Sequence, residues 1–218
     1  MNQFQIIKFT FGDMILQEPM ALITNWLIFL FCFYVFISIP WGKSFVSQKF
    51  KWFYFFMALG TFFGGLGHLF FHYTGIYGKY PSWICAVISG YLAGQAILQY
   101  WQHQSSHHFF RLFLIIKSTL LLTSSLLIGK FVFVAIDAIL TYLLYCGFIA
   151  WRLWRNEQEE MKYMVFGVLI LLPSAFIFLL NINIHRFLNR DDLSHLLMLA
   201  CLILFYRGIK RMNLSFGK

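Results

Sequence analysis

Two histidines sit one helical turn apart, His68 and His72, in the run Gly64-Gly65-Leu66-Gly67-His68-Leu69-Phe70-Phe71-His72-Tyr73-Thr74-Gly75. On a helix, residues at i and i+4 project from one face about 6 Å apart, so two imidazoles so placed can share one metal ion. The glycines before them let another helix, or a substrate, approach closely. A second pair with the same spacing, Asp191 and His195, lies in Asn189-Arg190-Asp191-Asp192-Leu193-Ser194-His195. Asp192 is the alternative to Asp191, because i and i+3 also share a face. Three imidazoles and a carboxylate suit Zn²⁺ better than Cu(I) or Mg²⁺. The plain structural roles are histidines hydrogen-bonded to backbone carbonyls across helices, and Asp191 or Asp192 as a helix N-cap.

These residues must be positioned by elements of unusual composition. Of 218 residues 60% are hydrophobic, 21% aromatic and only 11% charged. Soluble domains carry about 25% charged residues, so the composition excludes a water-soluble globule, a disordered chain and a collagen-like or disulfide-stapled scaffold. It also argues against a nucleic-acid binder despite the net charge of +9. A span needs roughly 20 apolar residues. Seven such runs are legible: Met20–Pro40, Lys51–Tyr73, Ser82–Trp101, Phe109–Ile128, Phe131–Leu153, Met161–Asn181 and Asp192–Tyr206. The expectation is an all-α polytopic membrane protein, a seven-transmembrane helix bundle forming a single domain over 1–218. It has an outer N-terminal segment, 1–19, and a basic tail, 207–218. Pro40-Trp41-Gly42-Lys43, the stretch with Gly75, Gly78 and Pro81, the polar stretch Gln102 to His108 and Gly129-Lys130 separate the first five runs. No charged region followed by an apolar stretch and a cleavage site marks a removable signal peptide, so the first span is expected to direct insertion. Cys32, Cys85, Cys146 and Cys201 fall in different runs with no CxxC pair, and read as buried free thiols.

Orientation follows from Lys and Arg placement. With the N-terminus outside, the cytoplasmic set is Lys43, Lys49, Lys51, Arg111, Arg152, Arg155, Lys162, Arg207, Lys210, Arg211 and Lys218, against Lys8, Lys79, Lys130, Arg186 and Arg190 outside. Eleven against five places the C-terminus inside. Parity then puts the end of the second span and the start of the seventh on one face, whichever way the chain is inserted. The start of the first span, the end of the sixth and the start of the third share that face. The two motifs thus converge, and His103, His107 and His108 fall on the opposite face. Asn181, Asn183 and His185 end the sixth span on the motif face, where they can line an entrance or hydrogen-bond the ligands. The short link between the fourth and fifth spans brings Lys117 near Asp137, so a buried pair is expected there. A plasma or bacterial inner membrane is the expected location.

The stretch Gly65 to Thr74 resembles the second-helix motif of the alkaline ceramidases. These belong, with the adiponectin and progestin receptors, to a superfamily of seven-helix metal-dependent membrane hydrolases, often called CREST. That motif has a Ser four residues before a zinc-binding His and a Thr shortly after. His72 matches the His, and His68 takes the place of the Ser. The family's last helix begins with two zinc-binding histidines at i and i+4; His195 matches the second and Asp191 takes the place of the first. The family's Asp early in the third helix is absent: Trp83 stands there, and Ser82 to Trp101 contains no acid. Asp13, Glu18-Pro19 and Asn25 resemble the acidic segment before the first ceramidase helix. The chain is similar, too, to a group of bacterial seven-helix proteins with a Glu-Pro near the first span.

The resemblance implies a Zn²⁺-dependent intramembrane hydrolase of a lipid amide or ester. His68, His72 and His195 would hold the ion, and Asp191 would act as general base or as a fourth ligand. A second class is a non-catalytic receptor or scaffold in which zinc ties the second span to the seventh. A bis-His haem carrier and a transporter using Asp137 and Lys117 are the remaining alternatives. The expected partner is a membrane lipid, as substrate or ligand.

Overall fold

The computed structural model describes residues 7–41, 44–102, 104–180, 182–185 and 187–215. Gly42, Lys43, His103, Asn181, Arg186 and Lys218, which the sequence places in loops and termini, lie outside them. The described residues are mostly helical, at 82%. A hairpin, β1 (Lys8–Phe11) and β2 (Met14–Gln17), leads into α1 (Pro19–Ser38) and α2 (Phe45–Leu69). The single turn α3 (Phe71–Thr74) and a 3₁₀ turn (Gly75–Lys79) precede α4 (Tyr80–Tyr100) and α5 (His107–Ile128). α6 (Val132–Thr141) runs through a π-helical stretch, Tyr142–Ile149, into α7 (Ala150–Arg155). A short 3₁₀ turn (Glu159–Met161) opens α8 (Lys162–Leu179), and α9 (Arg190–Ser215) ends the chain.

Six helical stretches are long and apolar enough to cross a membrane: Pro19–Ser38, Phe71–Tyr100, His107–Ile128, Val132–Arg155, Glu159–Ile177 and Arg190–Met212. α2 is as long as these but less apolar, with Lys49, Lys51, Tyr54 and five glycines or polar residues between Thr61 and His68. Its position explains this. α2 packs along both α1 and α4, and half of its residues are buried against protein, so it has little surface that lipid would select. The helices close a ring in the order α1, α2, α4, the π-helical stretch, α8 and α9, with α5 outside against α4 and α6. Tyr54 crosses the ring, its hydroxyl donating to the Leu202 carbonyl of α9 at 2.7 Å. All four cysteines are buried and unpaired, as the sequence predicts.

Two departures from the sequence expectation matter. The second run does not continue as one helix to Tyr73: α2 ends at Leu69, Phe70 leaves helical geometry at φ −97°, ψ 17°, and the next turn is separate. The last helix does not stop at Tyr206 but continues to Ser215, so much of the basic tail is helical. Arg207, Lys210 and Arg211 lower the hydropathy there without breaking the helix, since both residue types are good helix formers.

The expected Lys117–Asp137 pair is present and almost fully enclosed, at 5% and 1% exposure. The Lys117 ammonium donates to Asp137 Oδ1 at 2.5 Å and to Thr141 Oγ1 at 2.6 Å, and reaches Ser118 Oγ at 3.2 Å. Ser118 donates to the same carboxylate oxygen at 3.1 Å. Breaking such a pair strands a buried charge, at about 3–5 kcal/mol, whereas replacing both partners with apolar groups is often neutral. Lys117→Met and Asp137→Leu are each expected to lower the unfolding midpoint of the detergent-solubilised protein sharply. The double variant should recover most of that loss. Additive losses would mean that the two groups act independently.

Candidate metal centre

The bundle brings three elements that are distant in sequence to one end. Glu18 lies between β2 and α1 in the left-handed region, φ 47° and ψ 60°, a conformation uncommon outside glycine. Three features hold it there. Its N–H donates to the Ile7 carbonyl at 3.0 Å, its carbonyl accepts from Leu22 N–H at 3.3 Å, and Pro19 at the first helical position fixes the next φ. The result aims the carboxylate at the last turn of α2, where Glu18 Oε2 stands 2.6 Å from His68 Nδ1. Burial pushes the Glu18 pKa up. The His68 hydrogen bond, with the charges of His68, Lys79 and Arg190, outweighs burial and holds it below the usual carboxylate value.

Lys79 reaches the same point from the 3₁₀ turn, its ammonium 3.4 Å from both ring nitrogens of His68. Gly67 permits this: a Cβ there would lie 2.8 Å from the Gly78 carbonyl oxygen and 3.2 Å from Lys79 Cγ. The third element is α9. One ligand atom each from Glu18, His68 and Asp191 fall within 4.8 Å of one another. All three side chains are partly buried. Two carboxylates and an imidazole at that spacing match the donor types that bind a divalent cation, zinc among them.

Asp191 is available for this because another residue caps the helix. Asn189 Oδ1 accepts from the N–H groups of Asp191 and Asp192 at 2.8 and 3.1 Å. Asp192 Oδ2 accepts in return from Asn189 N–H at 3.0 Å, a reciprocal capping box. Asp192 is fully buried and also contacts α1, its Oδ1 3.3 Å from Thr24 Oγ1. The same hydroxyl lies 2.9 Å from His195 Nδ1, with Asn25 Nδ2 at 3.5 Å from that nitrogen. The Thr24 hydroxyl also donates to the Met20 carbonyl at 3.0 Å, and with Asn25 it orients the His195 ring through Nδ1, which leaves Nε2 facing away from α1 residues Thr24 and Asn25. His68 and Lys79 stand close enough for their charges to act on the His195 ring.

Of the residues marked in the sequence, the structure therefore joins His68 and Asp191 directly and sets His195 beside them, oriented by Thr24. His72 is not brought in. Beyond the break at Phe70 it is exposed, its ring edge-on to Tyr73 at 5.0 Å between centroids. The i, i+4 spacing carries His68 and His72 to one face only if the helix is continuous, and here it is not. Asn183 accepts from Arg190 N–H at the start of α9 at 3.0 Å, while His185 is exposed. Glu18, Thr24 and Lys79 are the residues that motif spacing misses. The available signal was the Glu-Pro pair just before the first apolar run, on the face that parity assigns to the motifs.

Thr24→Val keeps the side-chain shape but leaves His195 and Asp192 without their shared partner. A loss of about 1–3 kcal/mol is expected in unfolding of the purified protein. Thr24→Ser should restore it; a Ser variant as unstable as Val would mean that the methyl packing, not the hydroxyl, matters.

Residues 20–214 match a protein family described as being of unknown function, DUF6962. The matched region contains His68, Asp191, Asp192 and His195 and begins just after Glu18. No curated protein and no solved structure matches the chain. The match covers most of the sequence, and the chain belongs to the DUF6962 family.

Proposed function

We propose that this protein is a seven-helix integral membrane hydrolase that cleaves an amide or ester bond of a membrane lipid with the help of a divalent cation, zinc by its donor set. The observation that carries the reading is the approach of Glu18, His68 and Asp191 ligand atoms to within 4.8 Å at the bundle end where α2 finishes and α9 begins. Six apolar helical stretches, with α2 enclosed among them as the seventh, support the membrane placement. The Lys and Arg distribution favours an outer N-terminus and a cytoplasmic C-terminus. The likeness of the α2 and α9 motifs to those of the alkaline ceramidases supports the reaction class. So does depth: the acyl linkage of a lipid lies at the headgroup boundary, level with the ends of spanning helices.

Three protein ligands leave a position for water, and a bound zinc ion would bring that water's pKa to about 7 and polarise a carbonyl. The chain's own groups do the rest. His195, fixed through Nδ1 by Thr24, offers Nε2 to hold a proton. Lys79 places a positive charge where negative charge develops on a carbonyl oxygen. A second reading, a receptor or scaffold without catalysis, is favoured by one observation. The Lys79 ammonium beside His68 gives the two carboxylates a fixed counter-charge, so the contact can tie α1, α2 and α9 together by itself.

Purified protein is expected to carry about one zinc per chain under the hydrolase reading. Glu18→Ala and His68→Ala should abolish binding, and His72→Ala should leave it intact. Reconstituted protein should hydrolyse a member of a panel of ceramides and other acyl lipids, and His195→Ala should retain zinc while losing turnover. Zinc without turnover across the panel supports the scaffold. No zinc, with Glu18→Ala merely destabilised, supports a metal-free tie.

Lys79 supplies a sharper test, because a divalent cation at this point must bear its repulsion. Lys79→Met is expected to tighten Co²⁺ binding by at least about tenfold, as removal of a unit charge a few ångströms away predicts. Unchanged or weaker binding would show that the ion lies elsewhere.

A further inference from the structure

The hairpin before Glu18 has two chemically distinct faces. Its register sets Phe9 opposite Leu16 and Phe11 opposite Met14, with Lys8 opposite Gln17 and Thr10 opposite Ile15. Directly opposed residues share a face and alternate residues along a strand do too. One face is therefore Phe9, Phe11, Met14 and Leu16, while the other is Lys8, Thr10, Ile15 and Gln17. The apolar face is covered only at its root. Leu16 is buried, whereas Phe9, Met14 and Phe11 are 37%, 45% and 70% exposed, the largest value beside the tip. The tip is the two-residue turn Gly12-Asp13, where Gly12 supplies φ +59°.

A lone two-stranded hairpin is marginal in water, so something must hold this one. The bundle does so at the polar edge and the root: Ile15 N–H donates to the Tyr73 hydroxyl at 2.8 Å, and Glu18 N–H donates to the Ile7 carbonyl. β2 packs against α3 and the end of α2. Nothing in the chain covers Phe9, Phe11 and Met14 among the described residues. Two further observations indicate what does. The hairpin runs directly into α1, whose outward side chains Ile23, Leu27 and Leu30 form an exposed apolar surface. It also contacts exposed Tyr73, an apolar ring with a polar tip of the kind enriched at a membrane boundary, and exposed Tyr77 follows in the next turn. The hairpin stands where the apolar girdle of the bundle ends.

We infer that the Phe9–Phe11–Met14 face seats in the headgroup–acyl boundary of the bilayer, with Lys8 and Thr10 turned to water. The inference rests on the membrane reading above and adds to it a monotopic element beside the spanning helices. Its consequence is local: β2 ends one residue before Glu18, so the bilayer steadies the segment that carries a candidate ligand.

The buried native cysteines permit selective labelling of one introduced thiol in the folded protein. Phe11→Cys, Thr10→Cys and Leu27→Cys, each carrying bimane, are placed in phosphatidylcholine nanodiscs with nitroxide lipids labelled near the headgroup or deep in the acyl chain. The label at position 11 is expected to be quenched by the shallow nitroxide at least about twofold more than the label at position 10, and to be shielded from aqueous iodide. Met14→Cys keeps both phenylalanines and should behave like position 11. Equal lipid quenching at positions 10 and 11 with free access to iodide overturns the inference. So does position 11 shielded from both lipid and iodide, the result for a protein partner or second copy. Position 27 separates the two proposals. Quenching there by the deep nitroxide keeps the membrane reading even if the hairpin fails, and iodide access there sinks both.

Discussion

A carboxylate from the segment before α1 and an imidazole from the last turn of α2 meet at 2.6 Å, and much of one end of the molecule is arranged around that contact. Neither group can leave without stranding the other in a partly buried site, which is costly where water is scarce. The constraint propagates in both directions. Toward the N-terminus, Glu18 accepts a left-handed backbone, Pro19 stiffens the helix start, and the hairpin hangs from the Glu18 N–H. Toward the C-terminus, α2 ends immediately after His68, and the 3₁₀ turn folds back closely enough for Lys79 to reach the same ring. Strain of this kind persists where the surroundings over-determine it, and such places cluster at functional sites.

Three buried polar groups away from this end are bonded within the protein, and the comparison shows what is different here. Lys117 has as many acceptors as it has donors, in Asp137, Thr141 and Ser118. Lys51, at the far end of α1, donates to the Ile39 carbonyl and lies over the rings of Trp41 and Phe36 at 4.4 and 4.9 Å. Tyr145, within the π-helical stretch, donates to the Phe110 carbonyl at 2.7 Å. Each of these groups directs its donors to acceptors or rings inside the protein. The Glu18, His68 and Asp191 cluster instead gathers three ligand atoms at one point. Among the described residues the Arg190 guanidinium stands 3.6 Å from Asp191, and Lys79 and His68 face the two carboxylates. Carboxylate and imidazole lone pairs gathered at a bundle end are what a cation or a polar substrate group requires.

Much of this was legible in the sequence, for reasons that separate the successes from the misses. Run length and parity depend on counting, and they place the end of α2 and the starts of α9 and α1 on one face. The Lys117–Asp137 pair followed from the same counting, because a two-residue link leaves adjacent helices no freedom to slide. The failures concern local backbone geometry. An apolar run does not reveal that the helix stops at Leu69, since Phe70 is neither a proline nor a glycine. His72 lies beyond that break and is exposed. The hairpin was missed because its strands are only four residues each, too short for alternation to stand out. Glu18 was visible as Glu-Pro, but its aim depends on a left-handed φ that no spacing rule anticipates.

The last helix shows how neighbouring acids of one type come to differ. Asp191 and Asp192 are about 100° apart around the helix axis, so they cannot face the same partners. Asp192 turns inward, caps Asn189 and contacts Thr24, and through that hydroxyl it fixes the ring of His195. Asp191 turns toward Glu18 and His68. The capping box matters to both. Asn189 satisfies the first N–H groups of α9 and Asp192 accepts from the Asn189 N–H, so Asp191 does not have to bend back over the helix terminus, the usual role of an acid there. Because Asp192 also anchors the helix start to α1, the position of Asp191 relative to Glu18 is set by rigid elements. A candidate ligand placed in this way keeps its distance to the other two without a loop to adjust it, and pre-set spacing of that kind favours binding an ion of fixed coordination distance over accommodating many.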